Sequence, residues 1–390
     1  MSQRAPLFTA DFLRLWLFAF VTFFSAFQLL PTVPFRILAL GGTKAMAGTF
    51  LALYTYACAF SAPLTGSVAD HFGRRRVLLF ASLLFIVFSL GYGSITRIPL
   101  LLAVATVHGV CWSGILSSSA AIMSESIPES RRTEGLAYWG MASTAAIAVA
   151  PLAGLVMMKR TSWFALCAEM AVLSAAMFLF ALRLRPDTSA AARTFPPLGS
   201  LIDWRVTVTA LSLFVISFGY GGITSYVALL AGERRIEPAS LFFSVFAVTI
   251  LVSRVAIADK GDRFGPVALL IPSLLIVPVA LAVLAVTNSR AGLITAAALY
   301  GIGFGGAYPA FMSFVLRFTD PERRGTTFGS VIWAFDTGIG SGSLITGIVV
   351  QHAGYRTAYL VTAAVSALAV PLFLLTSRSF SEVRGAELKN

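Results

Sequence analysis

Gly66-Ser-Val-Ala-Asp70-His-Phe-Gly73-Arg74-Arg75-Arg76 and Ala258-Asp-Lys-Gly-Asp262-Arg263-Phe264-Gly265-Pro266 decide the architecture of this 390-residue chain. They lie 192 residues apart. A second pair, Pro128-Glu-Ser-Arg131-Arg132-Thr-Glu-Gly135 and Pro321-Glu-Arg323-Arg324-Gly-Thr-Thr-Phe-Gly329, recurs at an offset of 193. Two different motifs repeated at nearly the same spacing mean a duplicated half. Parallel repeats related by an axis along the membrane normal are one established way to build a transporter.

The sequence around these turns is apolar. Hydrophobic residues make up 57% of the chain and charged residues 12%, about half the roughly 25% charge of an ordinary soluble domain. This composition excludes a cytosolic enzyme, a secreted disulfide scaffold and a disordered tail. The net charge of +12 is carried by residues scattered between apolar runs, a distribution that fits a bilayer and argues against nucleic acid as a partner.

Twelve runs stand between the charges: 15–35, 45–69, 77–96, 98–124, 135–158 and 161–182, then 206–232, 238–258, 264–289, 291–316, 325–351 and 357–377. Only Glu169, Arg254 and Asp336 interrupt them. A helix needs about 20 residues to cross a hydrocarbon core of about 30 Å, so each run can span. Membrane strands would need alternating segments of about 10 residues, and none is found. The expected fold is an all-α polytopic membrane protein of twelve transmembrane helices in two pseudo-symmetric six-helix bundles. The bundles are expected at 1–185 and 205–390. Pro186, Pro196 and Pro197 within a Ser/Ala-rich stretch mark 186–204 as a linker.

Nineteen of the 29 cations fall in the termini and even-numbered turns and nine in the odd-numbered turns, which places both termini in the cytoplasm. The first run lacks a small-residue cleavage site and reads as a retained helix. Trp16, Trp163 and Trp204 near span ends fit interfacial anchoring. Cys58, Cys111 and Cys167 lie in three different spans without paired spacing and read as inert core thiols. The three histidines are far apart, and no metal cluster or nucleotide loop is found. No cofactor is expected.

The Gly66-x-x-x-Asp70-x-x-Gly73-Arg74-Arg75 stretch resembles the signature between helices 2 and 3 of the major facilitator superfamily, and Asp262-Arg263-x-Gly265 resembles its degenerate repeat. The resemblance covers essentially the whole chain. Ala146-x-x-x-Ala150-Pro151-x-x-Gly154 is similar to the antiporter motif of the drug-efflux branches, with Ala at two of its usual glycines. Gly303-Phe-Gly305-Gly306-Ala-Tyr308-Pro309 and Phe335-Asp336-Thr-Gly338-Ile-Gly340-Ser-Gly342 are similar to bacterial arabinose-exporter-like members. The resemblance implies a bacterial inner-membrane monomer that moves a small molecule by alternating access.

It also implies a latch. Asp70 at the cytoplasmic corner is expected to meet the positive N-terminus of helix 11 in the outward-open state, an attraction of about 0.3 to 2 kcal/mol depending on burial. Gly66 and Gly73 would permit close approach and a tight turn. The same set takes in Arg74 and the repeat residues Asp262, Arg263 and Gly265. On charge alone, Arg74, Arg75 and Arg76 read simply as orientation signals.

Charge within a span is costly, about 2.5 to 3.5 kcal/mol at the centre on insertion scales. Asp336, roughly 15 Å into its helix, reads as a proton-binding carboxylate or as the ion-pair partner of Arg254. Arg254 could instead bind an anionic substrate group. His108, in a cavity-lining helix by resemblance, has a side chain suited to proton exchange, or it packs as a hydrogen-bonder. Glu169 joins the proton-coupling candidates, against structural pairing near the outer end of a peripheral helix. By resemblance, helices 1, 4, 7 and 10 line the substrate site. The candidates are Ser25, Gln28 and Thr32, Trp112, Tyr220 and Thr224, and Tyr300 and Tyr308. Their aromatic character favours an amphipathic or aromatic solute. The expected function is proton-coupled efflux, with symport or facilitated diffusion of a nutrient as the alternative. A membrane sensor or intramembrane enzyme is a remote one.

Overall fold

The computed structural model describes residues 6–185, 203–258, 264–319 and 324–378. The regular elements among them are helices: α1 (Ala10–Ala39), α2 (Lys44–Phe72), α3 (Arg74–Ser94), α4 (Ile98–Ser126), α5 (Arg132–Arg160), α6 (Trp163–Leu182), α7 (Trp204–Thr209), α8 (Leu211–Glu233), α9 (Leu241–Ala258), α10 (Pro266–Val286), α11 (Arg290–Leu316), α12 (Arg324–Ala367) and α13 (Ala369–Thr376). A short 3-10 turn, Glu129–Arg131, precedes α5. α7 and α8 make one span, because Ala210 between them keeps a helical backbone (φ −69°, ψ −5°). α12 holds two spans joined at Gly354, where φ is 76°, and α13 completes the second. Among the described residues ten helices are long and apolar enough to span; with α12 counted as two and the shorter apolar α9 added, they supply the expected twelve crossings.

The helices outrun the charge-free segments. α1 starts at a Thr9 cap whose hydroxyl accepts from the Phe12 amide at 3.2 Å, and it carries Asp11 in its first turn and Arg36 in its last. Thr43 caps α2 in the same way. Acids at the start and bases at the end suit the helix dipole, and long basic side chains reach back to the interface, so charges near a helix end do not terminate it.

One packing scheme serves both halves. In the first, α1 packs on α5, α2 on α4 and α3 on α6; in the second, α8 packs on α12, α9 on α11 and α10 on α12. The repeat reaches the backbone too. Gly73 (φ 98°) and Gly265 (φ 81°), 192 residues apart, turn the chain into α3 and α10 with a conformation that favours glycine. Large apolar side chains such as Phe80, Val87, Val172 and Leu375 face outward, as a lipid-contacting surface requires.

Several span ends share one face. Arg14 donates to the Arg183 carbonyl at 3.1 Å, Arg75 to the Leu182 carbonyl at 2.6 Å, and the Asp203 amide to Ser330 at 2.8 Å. This is the terminal face; the opposite side, with Lys44 and Gln351, is the far face. The two halves meet mainly along two seams, α2 against α12 and α5 against α9, with α1 also touching α8.

Candidate transport site

The α2/α12 seam is built from small residues. α12 sends Gly338 and Gly342, four residues apart, onto the backbone of α8 at Phe214 and Phe218, and presents Gly340 and Gly347 to Thr55 and Lys44 of α2. Gly48 of α2 faces the Ser343 carbonyl so closely that a methyl group would strike it. Small residues let membrane helices approach backbone to backbone. Polar contacts follow the approach: Ser343 donates to the Gly48 carbonyl at 3.0 Å, and the Tyr56 and Ser341 hydroxyls lie 2.8 Å apart.

This seam is shut at the far face and parted at the terminal face. Lys44 bonds Glu233 at 3.1 Å, its amide meets Gln351 at 3.0 Å and its carbonyl accepts from Tyr226 at 2.7 Å. Phe60 still touches Trp333, ring centroids 5.9 Å apart. Gly66 lies 18 residues beyond Gly48, and Gly329 lies 18 before Gly347, five full helical turns in each case. Both therefore sit on the facing surfaces, yet a methyl group at either would meet nothing within 4 Å. Among the described residues, Asp70 accepts from Arg74 at 2.8 Å, and Arg74 also pairs with Glu125. Gly73 makes the expected turn, whereas Gly66, expected to permit close approach, faces open space. Asp262 and Arg263 lie outside the described residues.

Asp336 stands where the tight seam begins to part. Its carboxylate is half-buried and accepts from the Cys58 thiol of α2 at 3.3 Å. No cation lies within ion-pair distance of it among the described residues, and Arg254 in particular does not pair with it. Arg254 donates instead to the Thr144 hydroxyl, across the α5/α9 seam. The Tyr308 hydroxyl is within electrostatic reach of both charges.

Aromatic rings extend from this point through the second half. Tyr308 meets Phe335 edge to face at 5.4 Å, Phe335 meets Phe304 at 5.9 Å, and Phe304 stacks on Tyr220 at 4.7 Å and on Tyr300 at 5.6 Å. The Tyr300 and Thr224 hydroxyls are buried without a hydrogen-bond partner among the described residues. In the first half Trp112 packs against Phe23 at 5.0 Å and Tyr54 at 6.1 Å.

Other candidates lie elsewhere. Ser25, Gln28 and Thr32 are buried inside the first half: Gln28 donates to Glu169 at 3.3 Å and presses its backbone on Gly154, and Thr32 bonds back to the Gln28 carbonyl at 2.7 Å. Gln28 ties α1 to α5 and α6. Glu169 is thus held at α1, away from both seams. His108 sits in a cage of Tyr54, Phe85, Phe88 and Tyr92, with Nδ1 3.2 Å from the Tyr92 hydroxyl. Tyr54, one turn from Cys58, stands between it and the seam. Two contact residues escaped the sequence reading, Cys58 and Thr144. The repeat could have flagged Thr144, since 192 residues before Asp336 is Thr144; nothing in the sequence distinguishes Cys58 from the other thiols.

Known proteins agree with this architecture. The Major Facilitator Superfamily model matches residues 15–331 and 209–389. The staphylopine export protein of Staphylococcus aureus is 22% identical over 366 residues, covering 90% of this chain and 92% of its own. A probable sugar efflux transporter of Mannheimia succiniciproducens is 23% identical over 401 residues, covering 98% of each. Among solved structures, a point mutant of the nucleoside transporter NupG superposes with a TM-score of 0.81 at 16% identity, over 94% of this chain and 99% of that one. The twelve-span duplicated fold and these matches together establish that the chain belongs to the major facilitator superfamily, whose members are membrane transporters and not enzymes.

Proposed function

We propose that the protein exports a small amphipathic or aromatic solute in exchange for protons, with Asp336 as the proton-carrying carboxylate. The observation that carries this reading is the Asp336–Cys58 contact: an intramembrane carboxylate without a cation among the described residues, set in the seam that must close and open during alternating access. A carboxylate that enters this seam charged carries the cost of an intramembrane ion; a protonated one does not. Proton binding therefore biases which face is open.

With the cation bias taken as orientation, the terminal face is cytoplasmic and the membrane is the bacterial inner membrane. A solute enters from the cytoplasm as Asp336 gives up its proton inward. Bound solute offsets the cost of the charged carboxylate as the seam closes at that face and parts at the far one, where the solute leaves and a proton returns. The run from Tyr308 to Tyr220 supplies a wall for a flat apolar solute. The roles of the export and efflux relatives support the outward direction. His108 and Glu169, each bonded within the first half, take structural roles in this reading, and domains 1–185 and 205–390 are the rocking bodies.

The test is reconstitution in liposomes carrying an internal pH dye, with amphipathic, sugar and amino-acid solutes added in turn. Solute-evoked proton movement that disappears in Asp336→Asn is expected. Solute flux without proton movement, unchanged by the substitution, would make the protein a facilitator.

A further inference from the structure

Arg254 has no acidic partner among the described residues. Its hydrogen bond there goes to the neutral Thr144 hydroxyl, and no described carboxylate lies within ion-pair distance. An intramembrane arginine is costly and is normally paired with a counter-charge, so a guanidinium that meets one neutral acceptor among the described residues has donors and charge left over there for a ligand.

Its direction is set by the helix. Phe243, Ala247 and Ile250 of α9 are all buried, and Arg254 continues their row at spacings of 4, 3 and 4 residues. Val252, 62% exposed, lies on the opposite side of α9. Arg254 is nonetheless exposed. A residue on the inward face that is still accessible opens into the space between the halves, not onto lipid. Its contact on the other half, Thr144, borders the same space, and the Tyr308 hydroxyl is within electrostatic reach of Arg254.

We infer that Arg254 is an anion receptor and that the exported solute carries a carboxylate, phosphate or sulfonate group beside its flat apolar part. The anion takes the free donors of Arg254, and the apolar part lies along Tyr308 and Phe335. The acid on the other seam, Asp336, is then left for the proton. This deepens the efflux reading by naming the substrate class. It rests on that reading for transport but not for binding.

The test uses three probes with one ring system and different charge: naphthoate, naphthamide and naphthylmethylammonium. Thermal unfolding of the purified protein is titrated with each, in phosphatidylcholine nanodiscs. Naphthoate is expected to stabilise the wild type, naphthamide and the ammonium probe weakly or not at all. Arg254→Gln is expected to weaken naphthoate binding about tenfold or more, the loss of a charge-assisted contact, with Arg254→Lys intermediate. Thr144→Val keeps the guanidinium and removes its present acceptor, so it should retain naphthoate binding. Equal stabilisation by all three probes, by none, or undiminished naphthoate binding in Arg254→Gln would overturn the proposal. So would a phosphatidylglycerol-dependent stabilisation that Arg254→Gln removes in the absence of naphthoate, which would mark a lipid headgroup as the ligand. Because binding is read without a gradient, a loss of proton coupling in Asp336→Asn with naphthoate binding intact, or the reverse, separates this proposal from the efflux reading.

Discussion

The two seams between the halves occupy equivalent places in the duplicated fold, yet they differ in construction and in sign. The α2/α12 seam is glycine-lined and brings backbones together; the second half contributes an acid, Asp336, which meets a neutral thiol. The α5/α9 seam is looser, and there the second half contributes a base, Arg254, which meets a neutral hydroxyl. The offset of 192 carries Asp336 onto Thr144 and Cys58 onto Ile250, one helical turn from Arg254. The duplication has thus kept the position of the contact while changing its charge. Two opposite charges held apart by neutral partners can each respond to a ligand, whereas an Asp336–Arg254 ion pair would satisfy both internally.

Packing should distinguish the seams most strongly. Gly48→Ala places a methyl group against the Ser343 carbonyl and should destabilise the far-face closure by about 1 to 3 kcal/mol, the usual cost of overpacking. Faster labelling of Ala45→Cys, a half-buried neighbour of Lys44, by a membrane-impermeant maleimide would report it. Gly140→Ala in α5 meets nothing within 4 Å and should leave labelling unchanged, with a gain in helix stability of at most about 1 kcal/mol. Equal effects of the two would remove the contrast between tight and loose seams.

A smaller effect is expected from the acid's neutral partner. Cys58→Ala deletes the thiol that donates to Asp336 and should slow solute-driven proton movement several-fold, in line with about 1 kcal/mol for a hydrogen bond from a weak thiol donor. Cys58→Ser, which keeps a donor, should retain most of the rate in the same liposome assay. Smallest are the ion pairs of the far face. Lys44 pairs with Glu233 and lies 4.4 Å over the Tyr355 ring, so Lys44→Gln should loosen closure by about 0.5 kcal/mol. The Lys159–Glu237 pair is exposed on both sides; Lys159→Gln should be without measurable effect on the same labelling rate.

The contrast also shows what the sequence could and could not convey. Charge-free runs located all twelve spans because insertion cost depends on composition along one helix. Their ends were misplaced where Asp11, Arg14 and Arg36 lie inside α1, since a charge near the interface is tolerated. The repeat predicted the shared turns at Gly73 and Gly265. Pairing was less legible. Gln28 looked like a cavity residue because polar side chains on one helical face serve equally well to bind a solute or a neighbouring helix, and only the fold shows Glu169 and Gly154 against it. Asp336 and Arg254 looked like partners because each lacked one nearby; the seams place them on different helix pairs.

In the proposed cycle Asp336 couples protons to solute movement without itself forming the solute site. The most direct measurement compares, in one liposome preparation of Asp336→Asn, proton-driven efflux with gradient-free exchange of labelled solute. Proton-driven efflux is expected to fall to background while exchange persists near the wild-type rate. Retention of both activities would contradict this division of roles, and so would loss of exchange in a protein that remains folded.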